Sequence, residues 1–375
     1  MNNANGRRAA GTSPGLPDSC EHMSNPDHPT TEAVDAPYDG VLLVSFGGPE
    51  KREDVLPFLE NVVHGRNVPR ERLLEVARHY ERFGGASPLN AQNRALIAAL
   101  EAELADHGPR LSVYWGNRNW HPVLTDTMRQ MAEEGRRRVL AFVTSAFSSY
   151  SSCRQYLEDI AAARESVGSS APRVDKLRAF HNHAGFIEPM AERVLSALAE
   201  LPPDHRASAK IVYTAHSIPQ TMAAGCRYQA QLTEACRLVG ERTGRRDGTL
   251  VFQSRSGRPG ERWLEPDICD HLNHLAGEQD SCDVVVVPIG FLSDHMEVVY
   301  DLDVEARELC ESLGINMVRA GTVGCNKRFV QMIRELIWER IDPGAPKLAL
   351  GESGPSHDEC APDCCPRATT GERPA

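Results

Sequence analysis

Ile211-Val212-Tyr213-Thr214-Ala215-His216-Ser217-Ile218-Pro219 and Val284-Val285-Val286-Val287-Pro288-Ile289-Gly290-Phe291 decide the fold of this chain. Both are short apolar runs rich in β-branched residues, which read as buried strands of a parallel sheet. Chemistry sits just past their ends. His216 closes the first apolar run, and its small neighbours leave the ring accessible. Leu292, Ser293, Asp294, His295, Met296 and Glu297 follow the second. From there Glu297, Asp301 and Glu305 recur every fourth residue, a spacing that puts three acids on one helical stripe. Like charges so close repel, so folding alone would not select them. A base at one strand end facing acids at another suits the movement of protons and of a divalent cation. The plainer readings are a structural histidine and a solvated acidic face. The second fits Asp303 and Glu308 best.

Outward from these two runs, further strands are predicted at 40–49, 111–115, 139–147, 176–181, 249–254 and 315–320. Amphipathic patterns between them predict helices, among them 90–103, 154–166, 186–199, 304–313 and 328–341. Strand and helix alternate throughout, the signature of α/β doubly wound parallel sheets. Eight strands divide into two Rossmann-like domains, each a four-stranded parallel sheet flanked by helices. The expected boundaries are a disordered extension at 1–37, domain I at 38–160 plus 320–342, domain II at 161–319, and a tail at 343–375. The helix ending at 341 is expected to pack back on the first domain. In such sheets the ligand crevice lies at the carboxyl ends of the strands. His216, Glu297, Ser148, Ser149 and Gly47-Gly48-Pro49 fall there.

The 375 residues suffice for two such domains, and 41% hydrophobic with 25% charged residues is a globular composition. A net charge of −11 argues against nucleic acid as a partner, since phosphate backbones require a basic face. No apolar run approaches the ~20 residues of a membrane span. The polar N-terminal stretch holds no apolar signal region, so a cytoplasmic location is expected.

Other constellations carry less. Gly47-Gly48-Pro49 lacks the lysine and hydroxyl of a phosphate loop, so nucleotide binding is poorly supported. Arg66, Arg70, Arg72, Arg78, His79 and Arg82 form a basic patch in an acidic chain, suited to carboxylate recognition or to pairing with Glu71, Glu75 and Glu81. Of eleven cysteines, Cys360, Cys364 and Cys365 cluster in a tail with no core to bury them. Three ligands fall short of a four-cysteine cluster, and Cys153 is the best candidate for the fourth, with Cys325 as rival and zinc as alternative metal.

The stretches 42–50 (LLVSFGGPE), 83–89 (FGGASPL), 114–122 (YWGNRNWHP), 145–156 (SAFSSYSSCRQY), 213–219 (YTAHSIP) and 287–303 (VPIGFLSDHMEVVYDLD) together resemble the ferrochelatase family, in order across 38–342. The version here looks most like the actinobacterial-type enzymes that metallate coproporphyrin III. The resemblance implies two chelatase domains around a porphyrin cleft and insertion of ferrous iron into the ring, a metal–porphyrin lyase reaction of heme biosynthesis. His216 and Glu297 match the family's catalytic pair. Asp301 and Glu305 match further acids on an irregularly wound helix, and the four are the implied metal-handling groups. Phe46, Ser87, Asn117, Arg118 and Tyr150 are the implied porphyrin contacts. Cys153, Cys360, Cys364 and Cys365 match the ligands of a [2Fe–2S] cluster carried by some branches. The resemblance also implies transient contact with neighbouring heme-pathway enzymes.

Two departures stand out. Many family members have Tyr where this chain has Phe46, so no oxygen ligand to iron is available there. The lip at 64–82 is polar and basic where membrane-associated protoporphyrin enzymes are greasy, which favours a tetra-carboxylate substrate. Alternatives are a protoporphyrin IX enzyme, a cobalt or nickel chelatase for a sirohydrochlorin-type ring, a non-catalytic porphyrin carrier and a solute-binding protein.

Overall fold

The computed structural model describes residues 38–65, 68–256, 260–278 and 282–367. The expected disordered extension at 1–37 and Arg66 lie outside the described residues. The strands are β1 (Gly40–Ser45), β2 (Ser112–Asn117), β3 (Arg138–Val143), β4 (Arg173–Lys176), β5 (Lys210–His216), β6 (Thr249–Gln253), β7 (Asp283–Val287) and β8 (Asn316–Arg319). The α-helices are α1 (Val55–Val62), α2 (Arg70–Glu81), α3 (Leu89–His107), α4 (Leu124–Glu133), α5 (Gln155–Val167), α6 (Ala184–Glu200), α7 (Gln220–Ala224), α8 (Tyr228–Thr243), α9 (Ile268–Glu278), α10 (Met296–Tyr300), α11 (Arg307–Leu313) and α12 (Lys327–Ile341). Two segments, Tyr150–Arg154 and Asp301–Ala306, are wound as π-helix.

The strands form two four-stranded parallel sheets, ordered β2-β1-β3-β4 and β6-β5-β7-β8. The two halves therefore share one topology. In each, the chain reverses its direction of travel between the two central strands, β1/β3 and β5/β7. Ligands of such sheets bind outside the carboxyl ends at this switch point. The central strands are buried along nearly their whole length, which is why they read as unbroken apolar runs.

One buried cluster takes Val41, Leu43 and Phe142 from the first sheet and Ile211, Tyr213 and Val285 from the second. Phe186 and Val194 of α6, Leu232 of α8 and Phe329 and Ile333 of α12 belong to it as well. α12 packs against α3 and α6, and Gly185 makes the α6 contact possible. A Cβ there would stand 2.5 Å from Met332 Cβ and 2.9 Å from the Arg328 carbonyl.

Several expected boundaries shift, β1 ending at Ser45 and β3 at Val143 among them. β4 occupies 173–176 rather than 176–181, and it pairs with β3, so the first sheet extends beyond residue 160. Residues 178–183 leave the ladder because their polar side chains serve other partners. Arg178 pairs with Glu339, and Asn182 donates to the carbonyls of Leu350 and Gly354. β7 stops at Val287, because Pro288 has no N–H for the ladder.

Candidate functional site

His216 is the last residue of β5, and Glu297 opens α10 beyond β7, so the pair occupies the switch point of the second sheet. Gly290 lets the post-β7 loop close on β5. A Cβ there would lie 2.6 Å from Ala215 Cβ, and its N–H donates to the Thr214 carbonyl at 3.0 Å. His216 Nε2 then stands 3.5 Å from Glu297 Oε1, with the histidine side chain 32% exposed and the glutamate 50%. His216 Nδ1 donates to the Ser217 carbonyl, which aims Nε2 at the carboxylate. The Tyr228 hydroxyl donates to the His216 carbonyl at 3.0 Å and steadies the strand end.

Electrostatics fix the charge state of the pair. Burial disfavours an imidazolium at His216, but the Glu297 carboxylate and its hydrogen bond outweigh it and hold the ring up at about 9. Burial likewise disfavours charge on Glu297, but His216 overrides it and draws the carboxyl down to about 2. At neutral pH the pair is an ion pair, whose free acceptor lone pairs belong to Glu297. His295 caps α10 by accepting the Glu297 N–H on Nδ1 at 3.2 Å. Burial lowers its pKa despite Glu297, so it is a neutral neighbour at pH 7.

Asp301 begins the π-wound segment, whose wider turn replaces the regular helix that fourfold spacing suggests. Burial, with added repulsion from Glu297 and Glu305, lifts Asp301 to about 7 even though Ser254 hydrogen-bonds its carboxylate. Glu305 is exposed further out, raised by burial and then by Asp267 and Glu308. The acids thus run outward from a half-exposed ion pair, with a protonatable group between. Oxygen donors in series pass a hydrated divalent cation without trapping it.

Sequence reasoning missed two residues that hold this ladder. The Gln253 amide donates to the Glu297 carbonyl at 2.9 Å and to Asp301 Oδ2 at 3.3 Å, and the Ser254 hydroxyl donates to the same oxygen. Gln253 pairs in register with His216, so β6 ties β5 to the ladder. Their position at a strand's carboxyl end was the available signal.

The implied porphyrin contacts divide. Phe46 is 38% exposed beyond β1 and meets the Phe58 ring edge-on at 6.2 Å. Phe58 shares an apolar cluster with Met296, next to Glu297. Arg118 lies 5.8 Å over the Phe46 ring, but its guanidinium is largely buried, paired with Asp159 and 4.5 Å over Tyr156. Ser87 is buried and accepts the Leu89 N–H. Asn117 is fully buried and bonded to Trp115, Asn90 and the His121 carbonyl, so its side chain serves the loop. Tyr150 is buried with its hydroxyl on Glu158 and Arg367 near its ring, which turns it toward the tail.

Much of the lip's basic patch is ion-paired. Arg70 meets Glu60, Arg72 meets Glu75 and Arg82 meets Glu308, all by side chains half exposed or more. His79 stacks on Tyr300 at 3.6 Å, which joins the lip to the acidic helix. A cavity of about 740 Å³ lined by Glu50, Trp120, His121 and Asp126 opens elsewhere on the first half and includes none of the His216–Glu297 pair.

The tail brings its cysteines to Cys153. Cys360 neighbours Cys153, its Sγ falls within 4.8 Å of Cys364 Sγ, and Cys364 Sγ is 3.7 Å from Cys365 Sγ. Cys365 is buried and close enough to Cys153 and Cys364 for their charges to raise its pKa beyond what burial does. Arg154 clamps the loop by donating to the carbonyls of Ala361, Pro362 and Cys364. Four converging thiols are the donor set a small iron–sulfur cluster uses, so these residues fit one. The rival Cys325 is exposed ahead of α12 and outside this group.

Comparison with known proteins agrees in one direction. A family model described as ferrochelatase matches residues 38–341. A ferrochelatase of Rhodopirellula baltica is 54% identical over 88% of this chain and 93% of its own length. Coproporphyrin III ferrochelatases of Streptomyces griseus and Streptomyces coelicolor are each 50% identical, over 88% and 89% of this chain and 94% and 95% of theirs.

Proposed function

Since this chain belongs to the ferrochelatase family, we propose that it inserts ferrous iron into coproporphyrin III to give coproheme III. The observation that carries the reading is the His216–Glu297 ion pair at the switch point, with Asp301 and Glu305 leading away from it.

Porphyrin metallation exchanges two pyrrole N–H protons for one Fe²⁺, so charge must leave as charge enters. Binding energy at the ring periphery distorts the macrocycle and exposes the nitrogen lone pairs. In the resting ion pair Glu297 is the acceptor and His216 the donor, so the first pyrrole proton goes to Glu297. His216 becomes a base once its own proton has passed on. Asp301, poised at about 7, takes up and releases protons near neutrality. Iron moves inward over the same oxygens and exchanges water for nitrogen at the ring. Phe46 offers an apolar ring face to the macrocycle and no oxygen to the iron.

The named activities of the Streptomyces relatives support coproporphyrin over protoporphyrin. So does the lip. Exposed ion pairs contribute at most about 1 kcal/mol each, so Arg70, Arg72 and Arg82 can trade their glutamates for substrate carboxylates. Among the described residues Arg78 has no ion-pair partner. Among them too, no helix is long and apolar enough to cross a membrane, and the proposed setting is the cytoplasm.

Cys153, Cys360, Cys364 and Cys365 would hold a [2Fe–2S] cluster. Such a cluster supplies a reducible cross-link between the tail and the π-wound segment. It takes no part in metallation, because its ligands belong to the tail and the Tyr150–Arg154 segment and not to the His216–Glu297 pair.

The test is anaerobic ferrous-iron insertion with coproporphyrin III and protoporphyrin IX in parallel. Preference for coproporphyrin is expected. Preference for protoporphyrin would keep the chemistry and overturn the substrate. Porphyrin binding without insertion into either would favour a carrier.

A further inference from the structure

The tail holds one more metal-binding side chain than a four-cysteine centre uses. His357 Nε2 lies 3.6 Å from Cys364 Sγ, and ligand atoms of His357, Cys360 and Cys364 all fall within 4.8 Å of one another. Cys153, on the π-wound segment Tyr150–Arg154, neighbours Cys360 but lies outside that 4.8 Å group, so it would close on the ion as the fourth donor. A tetrahedral ion with sulfur at ~2.3 Å and nitrogen at ~2.0–2.1 Å spaces its ligand atoms about 3.5–3.8 Å apart. The Cys364–His357 distance is already such an edge. His357 is exposed, yet its backbone is tethered: the next residue, Asp358, pairs with Lys347 and faces Arg340. On the other side of the site the Arg154 clamp fixes residues 361–364. Both ends of the His-x2-Cys-x3-Cys segment are therefore held before any metal arrives. Cys365, the remaining donor, is buried with a left-handed backbone (φ 53). Five donors thus compete for four positions.

We propose that His357 is a metal ligand of the tail, so that His357, Cys360 and Cys364 with Cys153 form a nitrogen–sulfur site for a single tetrahedral divalent ion of the zinc class. The inference rests on reading the tail cysteines as a metal centre and adds a second occupancy to it. A two-iron centre takes the four thiolates, whereas a single ion takes three thiolates and the imidazole. Mixed thiolate–imidazole sets select borderline ions such as Zn²⁺ over hard ones such as Mg²⁺. Each thiol loses its proton on binding, so loading releases protons to solvent. The site is built from residues separate from the acid ladder, so the chain can hold a structural ion while it handles iron in the cleft.

Co²⁺ is the probe, because tetrahedral thiolate ligation gives it intense sulfur-to-metal charge-transfer and visible d–d bands. The full chain, stripped of metal under reductant, is titrated anaerobically. Saturation at one thiolate-bound Co²⁺ per chain is expected. His357→Ala should weaken affinity at least tenfold and shift the d–d bands. His357→Cys should restore affinity with stronger sulfur bands. Unchanged affinity and spectrum in His357→Ala would overturn the proposal, as would absence of thiolate bands in the unmutated chain. Co²⁺ on the acid ladder gives no sulfur bands, and loss of iron insertion bears on the proposed function alone.

Discussion

His216 Nε2 and Glu297 Oε1 stand 3.5 Å apart across the ends of two parallel strands, and each sets the other's charge. With Glu297→Gln, only the Ser217 carbonyl and Asp301 still oppose burial at His216, and its pKa should drop well below about 9. The raised His216 pKa contributes stability that is full below pH 6.5 and lost as pH climbs through about 9. The depressed Glu297 pKa contributes stability that is full above pH 4.5 and lost as pH falls through about 2. The variant should therefore lose most stability between pH 4.5 and 6.5 and little above pH 9. Histidine NMR titration and thermal melts across pH check both. Iron insertion should fall by roughly 100-fold or more, the scale of a lost proton-transfer group. An unshifted His216 titration would mean the pair is not coupled.

Asp301 makes the opposite trade. Its carboxyl is held at about 7, so the folded chain keeps a proton between pH 3.8 and 7 that the unfolded chain has lost. Stability falls as pH rises across that window, and above pH 7 the folded state carries a buried charge. Asp301→Asn removes that charge, so melting temperature at pH 8 should rise. The same change should raise the KM for ferrous iron while porphyrin binding is unchanged. In the unmutated enzyme the KM for iron should climb as pH drops through about 7. A flat KM across that range would remove Asp301 from the iron path.

The central strands and the His216–Glu297 pair were legible because strands buried on both faces leave unbroken apolar runs, and the crevice residues must follow those runs. Gln253 and Ser254 were not, because polar residues at a strand end look like an ordinary turn until the helix they bond is in place. Fourfold spacing of acids reads the same on an α-helix and a π-wound segment, so the irregular winding at Asp301–Ala306 was legible through the family resemblance and not through the spacing. Asn117 and Tyr150 carry the motifs without facing open space, since a motif records both loop scaffolding and contact. The tail cysteines could be grouped by composition, but His357 required the fold of the tail.

Arg178 and Glu339 form two hydrogen bonds, at 2.7 and 2.8 Å, with side chains 1% and 2% exposed. The arginine follows β4 and the glutamate lies on α12, so the pair fastens the last helix to the first sheet. Arg178 also donates to the Leu348 carbonyl at 2.8 Å, and Glu339 accepts the Leu348 N–H at 3.3 Å, which anchors the start of the tail. Arg178→Met leaves a buried carboxylate without its partner and should cost about 3–5 kcal/mol in urea unfolding. Adding Glu339→Leu removes the orphaned charge and should recover most of that loss, because a desolvated pair contributes little net stability over apolar residues of similar volume. The tail, however, loses its anchor in both variants. Proteolysis within 343–367 should therefore accelerate in the double variant even where global stability returns. Protection of the tail in the double variant would mean that Asn182 and the Arg154 clamp suffice to hold it.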